Sequence, residues 1–311
     1  MSKSGKVLSV NVSEQKGTIK NPVKEITLNE NGIAGDAHAG PWHRQVSLLS
    51  AADIDLFSKQ SKRDIAHGEF AENITLDGLD LSKVSILDRF TIGDVELEVS
   101  QIGKKCHGDG CAIFREVGKC VMPDKGLFAR VINGGKVKSG DEVQYTPRLF
   151  KIAVITMSDR AHSGQYTDRS GPKAIELINE FFKGKRWHLQ ISPQILPDDP
   201  AVLKDRLISE IASGTDVIFT LGGTGIGPRD ITPDVVRQVI EKEITGIMEN
   251  IRVKYGSAKP SALLSRSVAG TTAKTQIYAL PGSVKAVTEY LLEILKTLEH
   301  AVYMLHGLDI H

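Results

Sequence analysis

The chain has 311 residues, 41% hydrophobic and 25% charged, with a formal net charge of +1, long enough for two domains of ordinary size. The charge is even along it, 19 basic against 20 acidic side chains up to Pro147 and 20 against 18 after it, so neither half has the basic excess of a sequence-independent nucleic-acid binder. No apolar run reaches membrane-spanning length, and nucleic acid and membrane are excluded as partners.

From Lys6 to about Tyr145 the pattern is of short β-rich runs broken by turn residues. Lys6–Val12 alternates Val7, Leu8, Val10 and Val12 with small or polar residues, and Gly93-Asp94 splits Ser85–Ser100 into a hairpin. One helix is predicted from Ala51 to about Lys59, with Ser50 as N-cap and Asp53 at the capping-box position. Phe128–Ile132 and Val143–Tyr145 supply further strands. Many short strands with few helices predict a closed or nearly closed β-barrel.

Four polar groups stand out in this half: Asp36 and His38 in a glycine-flanked loop, Arg44-Gln45 entering a strand, Glu72-Asn73, and a cysteine stretch holding Cys106, His107, Cys111 and Cys120. Taken singly, each reads as a turn, a barrel-end hydrogen bond or a small buried thiol. The cysteine spacing is no zinc-ribbon pattern, whereas Lys104, Lys105 and His107 would favour a thiolate. Three cysteines within fifteen residues, behind an N-terminus (Met1–Lys6) without an apolar signal region, predict a reducing, cytoplasmic setting.

Gly32–His38, Arg44–Leu48, Phe70–Ile74, the cysteine stretch and Met122–Val131 together resemble the MOSC (molybdenum cofactor sulfurase C-terminal) domain, over about residues 4–146. That resemblance implies a β-barrel whose characteristic cysteine carries sulfur or contacts the molybdenum cofactor. Cys111, by its place before Ala112-Ile113, matches that cysteine best, and Cys106 is the alternative. His38, Arg44 and Asn73 are the accompanying candidates for sulfur or cofactor.

Thr146-Pro147-Arg148 is a short junction, after which the pattern switches to α/β alternation. Lys151–Met157 is a predicted strand, followed by a polar loop from Ser158 to Asp168 and a helix from Pro172 to about Phe182. His188–Ile195 is a second strand, placed at an edge or strand end by Pro193, and Pro200 opens a helix that closes at Gly214. Val217–Leu221 is too short for a helix and β-branched enough for a strand buried on both faces. It stops at Gly222-Gly223-Thr224-Gly225, followed by Pro228-Arg229-Asp230, with Thr232 as N-cap of a helix running to about Glu243. Further helix is predicted over 246–269, then a strand at Thr275–Leu280 and a long amphipathic helix from Ser283 to Leu305. Alternating strands and crossover helices imply a mainly parallel sheet between helix layers.

The glycine loop lacks the lysine of a P-loop and the third glycine of a dinucleotide fingerprint. A strand, a glycine loop and a helix start in that order still form an anion site. In parallel sheets, ligands sit beyond the carboxyl ends of the strands. At those ends lie Ser158-Asp159, Pro197-Asp198, Gly222–Asp230 and Pro281-Gly282-Ser283. Carboxylates there would bring Mg²⁺, which bridges one or two acids to substrate phosphates, and backbone amides would hold phosphoryl oxygens. The residues thus point to nucleotidyl or phosphoryl transfer and leave the acceptor open.

These same motifs, with Asp168-x-Ser-Gly171 and Leu280-Pro-Gly282, resemble in order the MogA/MoaB family of molybdopterin adenylyltransferases over about 150–311, departing at Val284, where that family often has proline. The resemblance implies a three-layer α/β fold, a homotrimer, and transfer of AMP from Mg-ATP to the terminal phosphate of molybdopterin. It also makes Asp198 and Asp230 the essential acids, binding Mg²⁺ directly or through water. Ser158, Asp159, Gly222–Gly225, Arg229 and Pro281–Ser283 become nucleotide- and pterin-binding residues. The expectation is a cytoplasmic fusion of residues 1–147 (MOSC-like) and 148–311 (MogA/MoaB-like), serving a molybdenum-insertion protein or molybdoenzymes. The alternative is a non-catalytic protein that binds and delivers the pterin cofactor.

Overall fold

The β-branched runs of the first half become strands of a barrel. The computed structural model describes residues 3–104 and 120–308, so Cys106 and Cys111 lie outside the described residues. The strands are β1 (Lys3–Val12), β2 (Asn21–Val23), β3 (Glu25–Asn29), β4 (Gly32–Ile33), β5 (Val46–Ser50), β6 (Ile74–Asp77), β7 (Arg89–Ile92), β8 (Val95–Ile102), β9 (Leu127–Asn133), β10 (Gly135–Lys138) and β11 (Glu142–Thr146). Seven of them follow the order β11-β7-β8-β9-β5-β6-β1, and β1 pairs back onto β11, so the sheet closes. Closure removes the free edges that an open sheet would expose. Alternate residues of these strands, among them Val7, Leu48, Leu76, Leu97 and Val143, meet in the barrel core. The predicted hairpin turns at Gly93-Asp94 between β7 and β8. Helix α1 (Ala51–Ser61) starts where predicted, with the Ser50 hydroxyl accepting from the Ala52 amide. β10, a strand the sequence reading did not assign, pairs with β3 in a small separate sheet.

The second unit begins at Leu149. Its strands are β12 (Leu149–Met157), β13 (His188–Leu196), β14 (Val217–Leu221), β15 (Lys242–Glu243), β16 (Val268–Thr272) and β17 (Thr275–Leu280), in the order β13-β12-β14-β17-β16-β15. The first four are parallel; β16 pairs antiparallel with β17, and β15 antiparallel with β16. β13 is the edge strand that Pro193 called for, since a proline there costs no ladder bond on the open side.

Ala153, Ile155, Met157, Ile218 and Ile277 pack with Leu203 and Leu207 of the helix Pro200–Ala212 and with Val235 and Val236 of the short helix Thr232–Arg237. On the other side, the helices Ser170–Phe182 and Val284–Leu305 contact each other, and Phe150 packs against Phe182 and Trp187. The result is the expected helix–sheet–helix sandwich.

Three local expectations need correction. The helix after the glycine loop ends at Arg237 rather than near Glu243, because Glu241 N bonds to Thr271 O and the chain turns into β15. Its N-cap is Ile231, not Thr232, whose amide donates to Gly223 O. The span 246–269 is helical only at Thr245–Gly256 and in a 3-10 turn at Pro260–Leu264, after which β16 begins. A strand of Val, Ala, Gly and Thr carries little periodic signal; β17 supplies the pairing that makes it a strand.

Candidate functional site

Strand register sets the site. Thr156 pairs with Leu221, Leu221 with Leu280, and Met157 with Leu196, so four parallel strands end together. The loops starting at Ser158, Pro197, Gly222 and Pro281 therefore emerge side by side. Hydrogen bonds knit them: Ser158 N donates to Leu196 O at 2.9 Å and Gly222 N to Leu280 O at 2.8 Å.

Two cavities flank the glycine loop. The first, about 380 Å³, is lined by Ser158, Asp159, Arg160, Asp198, Gly223, Gly227, Pro228, Arg229 and Asp230. Its acids are tied to backbone. Asp198 N donates to Asp159 Oδ1 at 3.0 Å and Asp159 N to Asp198 Oδ2 at 3.3 Å, a reciprocal clasp between two loops. Gly227 N donates to Asp230 Oδ2 at 2.8 Å. Each carboxylate keeps acceptor capacity beyond these bonds. Arg229 reaches Asp159, not Asp230, at 3.4 Å and with 79% of its side chain exposed, so its guanidinium is available to a ligand.

The second cavity, about 370 Å³, is lined by Thr224, Gly225, Ile226, Leu264, Ser265, Pro281, Ser283 and Tyr290 among others. Its lining is more apolar than that of the first, with Lys259, Lys285 and Glu289 also on its border; apolar walls with a few polar groups are what a ring-shaped ligand needs. Thus the sequence-predicted residues divide between two cavities. Gly222 and Gly282 line neither cavity and instead pack on each other: a Cβ on Gly282 would stand 3.1 Å from Gly222 Cα. Val284, where the resemblance departs, begins the long helix, which Ser283 caps through the Ala286 amide.

Among the described residues, no group of three or more His, Cys, Asp or Glu side chains is placed to hold a metal ion. The donors in the first cavity are hard carboxylate oxygens on separate loops. That set fits Mg²⁺ shared with substrate phosphates and does not fit a protein-only cage.

Sequence reasoning missed Arg266. It stands 36 residues after Asp230, in a Ser-Arg-Ser stretch without motif spacing, yet its guanidinium bonds to the carbonyls of Gly225 and Asp230 and to the Asp234 carboxylate. Asp168, quoted only within a motif, is also structural to the site. Burial would raise its carboxyl, but hydrogen bonds from Ser170, Thr156 and the Gly171 amide outweigh burial and hold it below its ordinary value.

In the barrel unit, Asn73 is buried and fully engaged. Its Oδ1 accepts from Ser47 N and Oγ, and its Nδ2 donates to Asn11 O and Asp36 Oδ2. Asp36 also forms a buried ion pair with Lys20, a residue the sequence did not single out. Burial opposes ionisation of Asp36, but hydrogen bonds from His38 and Lys20 overcome it and hold the carboxyl well below the usual range. The His38 ring lies 3.4 Å from Lys20 Nζ. The Arg44 guanidinium stacks 4.8 Å from the Trp42 ring centre. His38, Asn73 and Arg44 thus fall around Asp36 and Trp42, and Asn73 braces the strands.

Sequence comparison follows the same division. Residues 153–300 match the family described as "Probable molybdopterin binding domain", and residues 35–144 match the MOSC domain. The chain is 36% identical over 156 residues to the molybdopterin adenylyltransferase of Pyrococcus furiosus, covering 49% of this chain and 88% of that protein. It is 37% identical over 155 residues to the molybdenum cofactor synthesis protein cinnamon of Drosophila melanogaster, covering 50% of this chain and 25% of that one. With gephyrin of Dictyostelium discoideum, identity is 31% over 161 residues, covering 50% and 22%. The chain therefore spans about a quarter of the length of cinnamon and of gephyrin.

Proposed function

The chain belongs to the molybdopterin adenylyltransferase family, and on that premise we propose that it acts in molybdenum cofactor biosynthesis as a nucleotidyltransferase. The reaction joins AMP from Mg-ATP to the terminal phosphate of molybdopterin. An oxygen of that phosphate forms a bond to the α-phosphorus of ATP, and the bond from that phosphorus to the β-phosphate oxygen breaks, releasing pyrophosphate. One observation carries the reading: Asp159, Asp198 and Asp230 come together with Gly223 around one cavity at the carboxyl ends of in-register strands.

Asp198 and Asp230 would hold Mg²⁺, directly or through water; when bound, the ion neutralises phosphate charge. The chain's own residues orient the rest. The glycine loop lets backbone approach phosphoryl oxygens closely, which side chains would prevent. Arg229, exposed and 3.4 Å from Asp159, would offset charge on the leaving pyrophosphate. The apolar second cavity takes a ring of one substrate.

The test is incubation with Mg-ATP and molybdopterin, scoring adenylylated pterin and pyrophosphate. Asp230→Asn is expected to lower turnover by about 10²-fold or more, the scale for removing one electrostatic contact to a transition state, without unfolding the protein. Equal turnover by wild type and variant would remove Asp230 from the mechanism. Pterin binding with no pyrophosphate released would give the delivery-protein reading instead.

The MOSC barrel, in this proposal, receives or hands on cofactor or sulfur, with Cys111 as the sulfur carrier and a molybdenum-insertion protein or molybdoenzyme as recipient. A persulfide on Cys111 by mass spectrometry supports sulfur transfer, and full function of Cys111→Ser excludes it. No helix among the described residues is long and apolar enough to cross a membrane. Cytoplasmic placement and a homotrimer complete the proposal; light scattering checks the latter.

A further inference from the structure

The loop from Thr224 to Asp230 has little to hold it in place by packing. Ile226 at its centre is 72% exposed, and Gly225, Gly227 and Pro228 bring no large apolar anchor. Its position therefore depends on polar tethers, three of which come from one residue, Arg266, two through its side chain and one through its amide. Arg266 Nε donates to Gly225 O at 2.7 Å, its terminal nitrogens donate to Asp230 O and to both Asp234 oxygens at 2.8 and 3.0 Å, and its own amide donates to Thr224 O at 2.8 Å.

A guanidinium offers donors in a rigid planar fork, and here the fork spans both ends of the loop. Arg266 is itself fixed from below. Two residues on, β16 runs Val268–Thr272 with every residue buried, so the arginine projects from the sheet. The same segment lines the second cavity through Leu264 and Ser265, while Asp230 lines the first. One residue thus joins a rigid strand, the wall of one cavity and the acid of the other.

We propose that Arg266 is the positioning residue of the transfer site, setting Asp230 relative to the ring-holding cavity. This rests on the adenylyl-transfer reading above. The Arg266–Asp234 pair alone does not explain such an arrangement. Asp234 is 56% exposed, and exposed pairs add little to stability. The helix carrying Asp234 is already anchored by buried Val235 and Val236.

The test compares Arg266→Ala, Arg266→Lys and wild type in the full chain. Misplacing a reactive group by about 1 Å costs about 10²-fold in rate, so Arg266→Ala is expected to lower kcat on that scale while KM for molybdopterin changes by less than about threefold. Lysine keeps the charge but cannot span three acceptors, so Arg266→Lys is expected to recover part of the loss, and added guanidinium ion to recover part of the alanine variant's activity. A side chain serving stability alone would lower the melting temperature and would show no rescue of kcat by guanidinium. Wild-type kcat in either variant, or loss of kcat that tracks unfolding and resists rescue, overturns the proposal. If the alanine variant fails to fold, the lysine variant decides by the same kcat criterion. If wild type itself releases no pyrophosphate, the adenylyl-transfer reading fails separately. Amide exchange of residues 222–231 then decides on Arg266: faster exchange confined to that segment in Arg266→Lys supports the tether, and unchanged exchange removes it.

Discussion

Gly222→Ala tests whether the glycine loop needs its backbone freedom. Gly222 sits at φ +115, a region that residues with a Cβ scarcely enter, and a Cβ there would stand 2.6 Å from Met157 O. Met157 ends a strand paired on both sides and is 4% exposed, so its carbonyl cannot withdraw cheaply. Backbone strain of this kind costs about 1–3 kcal/mol, and an overpacked contact adds about 1–3 kcal/mol. Gly184→Ala is the internal control: Gly184 lies at φ +78 in the same unit, with no atom within 4 Å of the added methyl. Only the left-handed penalty of about 1–2 kcal/mol remains there. At about 2–4 °C per kcal/mol for a unit of this size, the second unit's melting midpoint should fall by about 4–24 °C in Gly222→Ala and by about 2–8 °C in Gly184→Ala. Calorimetry reads both, and transfer activity should be lost only in the first. A Gly222→Ala protein that melts with Gly184→Ala and keeps its turnover would refute the close-packing argument for the loop.

Two further predictions concern pH. Asp168 has its folded pKa held below the ordinary value of 3.8, so its contribution is present above that pH and is lost as pH falls through the folded value. Asp168→Asn should therefore cost about 1–3 kcal/mol at neutral pH, with the gap to wild type closing in acid; a gap that persists there would mean the hydrogen-bonded charge is not responsible. Glu72, buried in the barrel, has its carboxyl pushed up by burial, against hydrogen bonds from Gly68 and Thr75, and its Oε2 has no hydrogen-bond partner among the described residues. Its contribution is full below the ordinary value of 4.5 and is lost as pH rises through the folded value, so Glu72→Gln should flatten the first unit's stability profile above about pH 4.5. Parallel profiles in urea titrations would rule that out.

Much of this was legible where the signal is local. Val217–Leu221 is a strand in sequence and structure alike, because a β-branched run ending in Gly-Gly admits little else. Ser50 caps its helix as expected, and the last long helix begins beside Ser283, where its start was expected. What failed was set by distant partners. Val235, Val236, Val239 and Ile240 have helical spacing, yet Ile240 packs over Gly270, where a Cβ would lie 2.7 Å from Ile240 Cδ1. That contact draws the chain off its helix and onto β16, a case of tertiary packing overriding local preference. Arg266 escaped for the same reason: its side-chain partners are 32 to 41 residues away, and an arginine between two serines gives no hint of them. Lys20 and Asp36, 16 residues apart, are likewise a pair only once the barrel closes.

The division of the site into two cavities bears on the proposed reaction. Adenylyl transfer must bring two substrates together with the attacking oxygen and the leaving oxygen on opposite sides of one phosphorus. A single polar cleft would let the two phosphate-bearing ligands compete for the same amides and acids. Here the acids line one cavity and a more apolar wall the other, with Gly223 bordering the first and Thr224 and Gly225 the second. Consecutive residues of one loop thus face both sites, and a substrate bound on either side presents to the same short stretch of backbone. Side chains on that stretch would separate the reacting groups. In the proposed reaction, Gly223 and Gly225 would let the two substrates approach the same backbone closely.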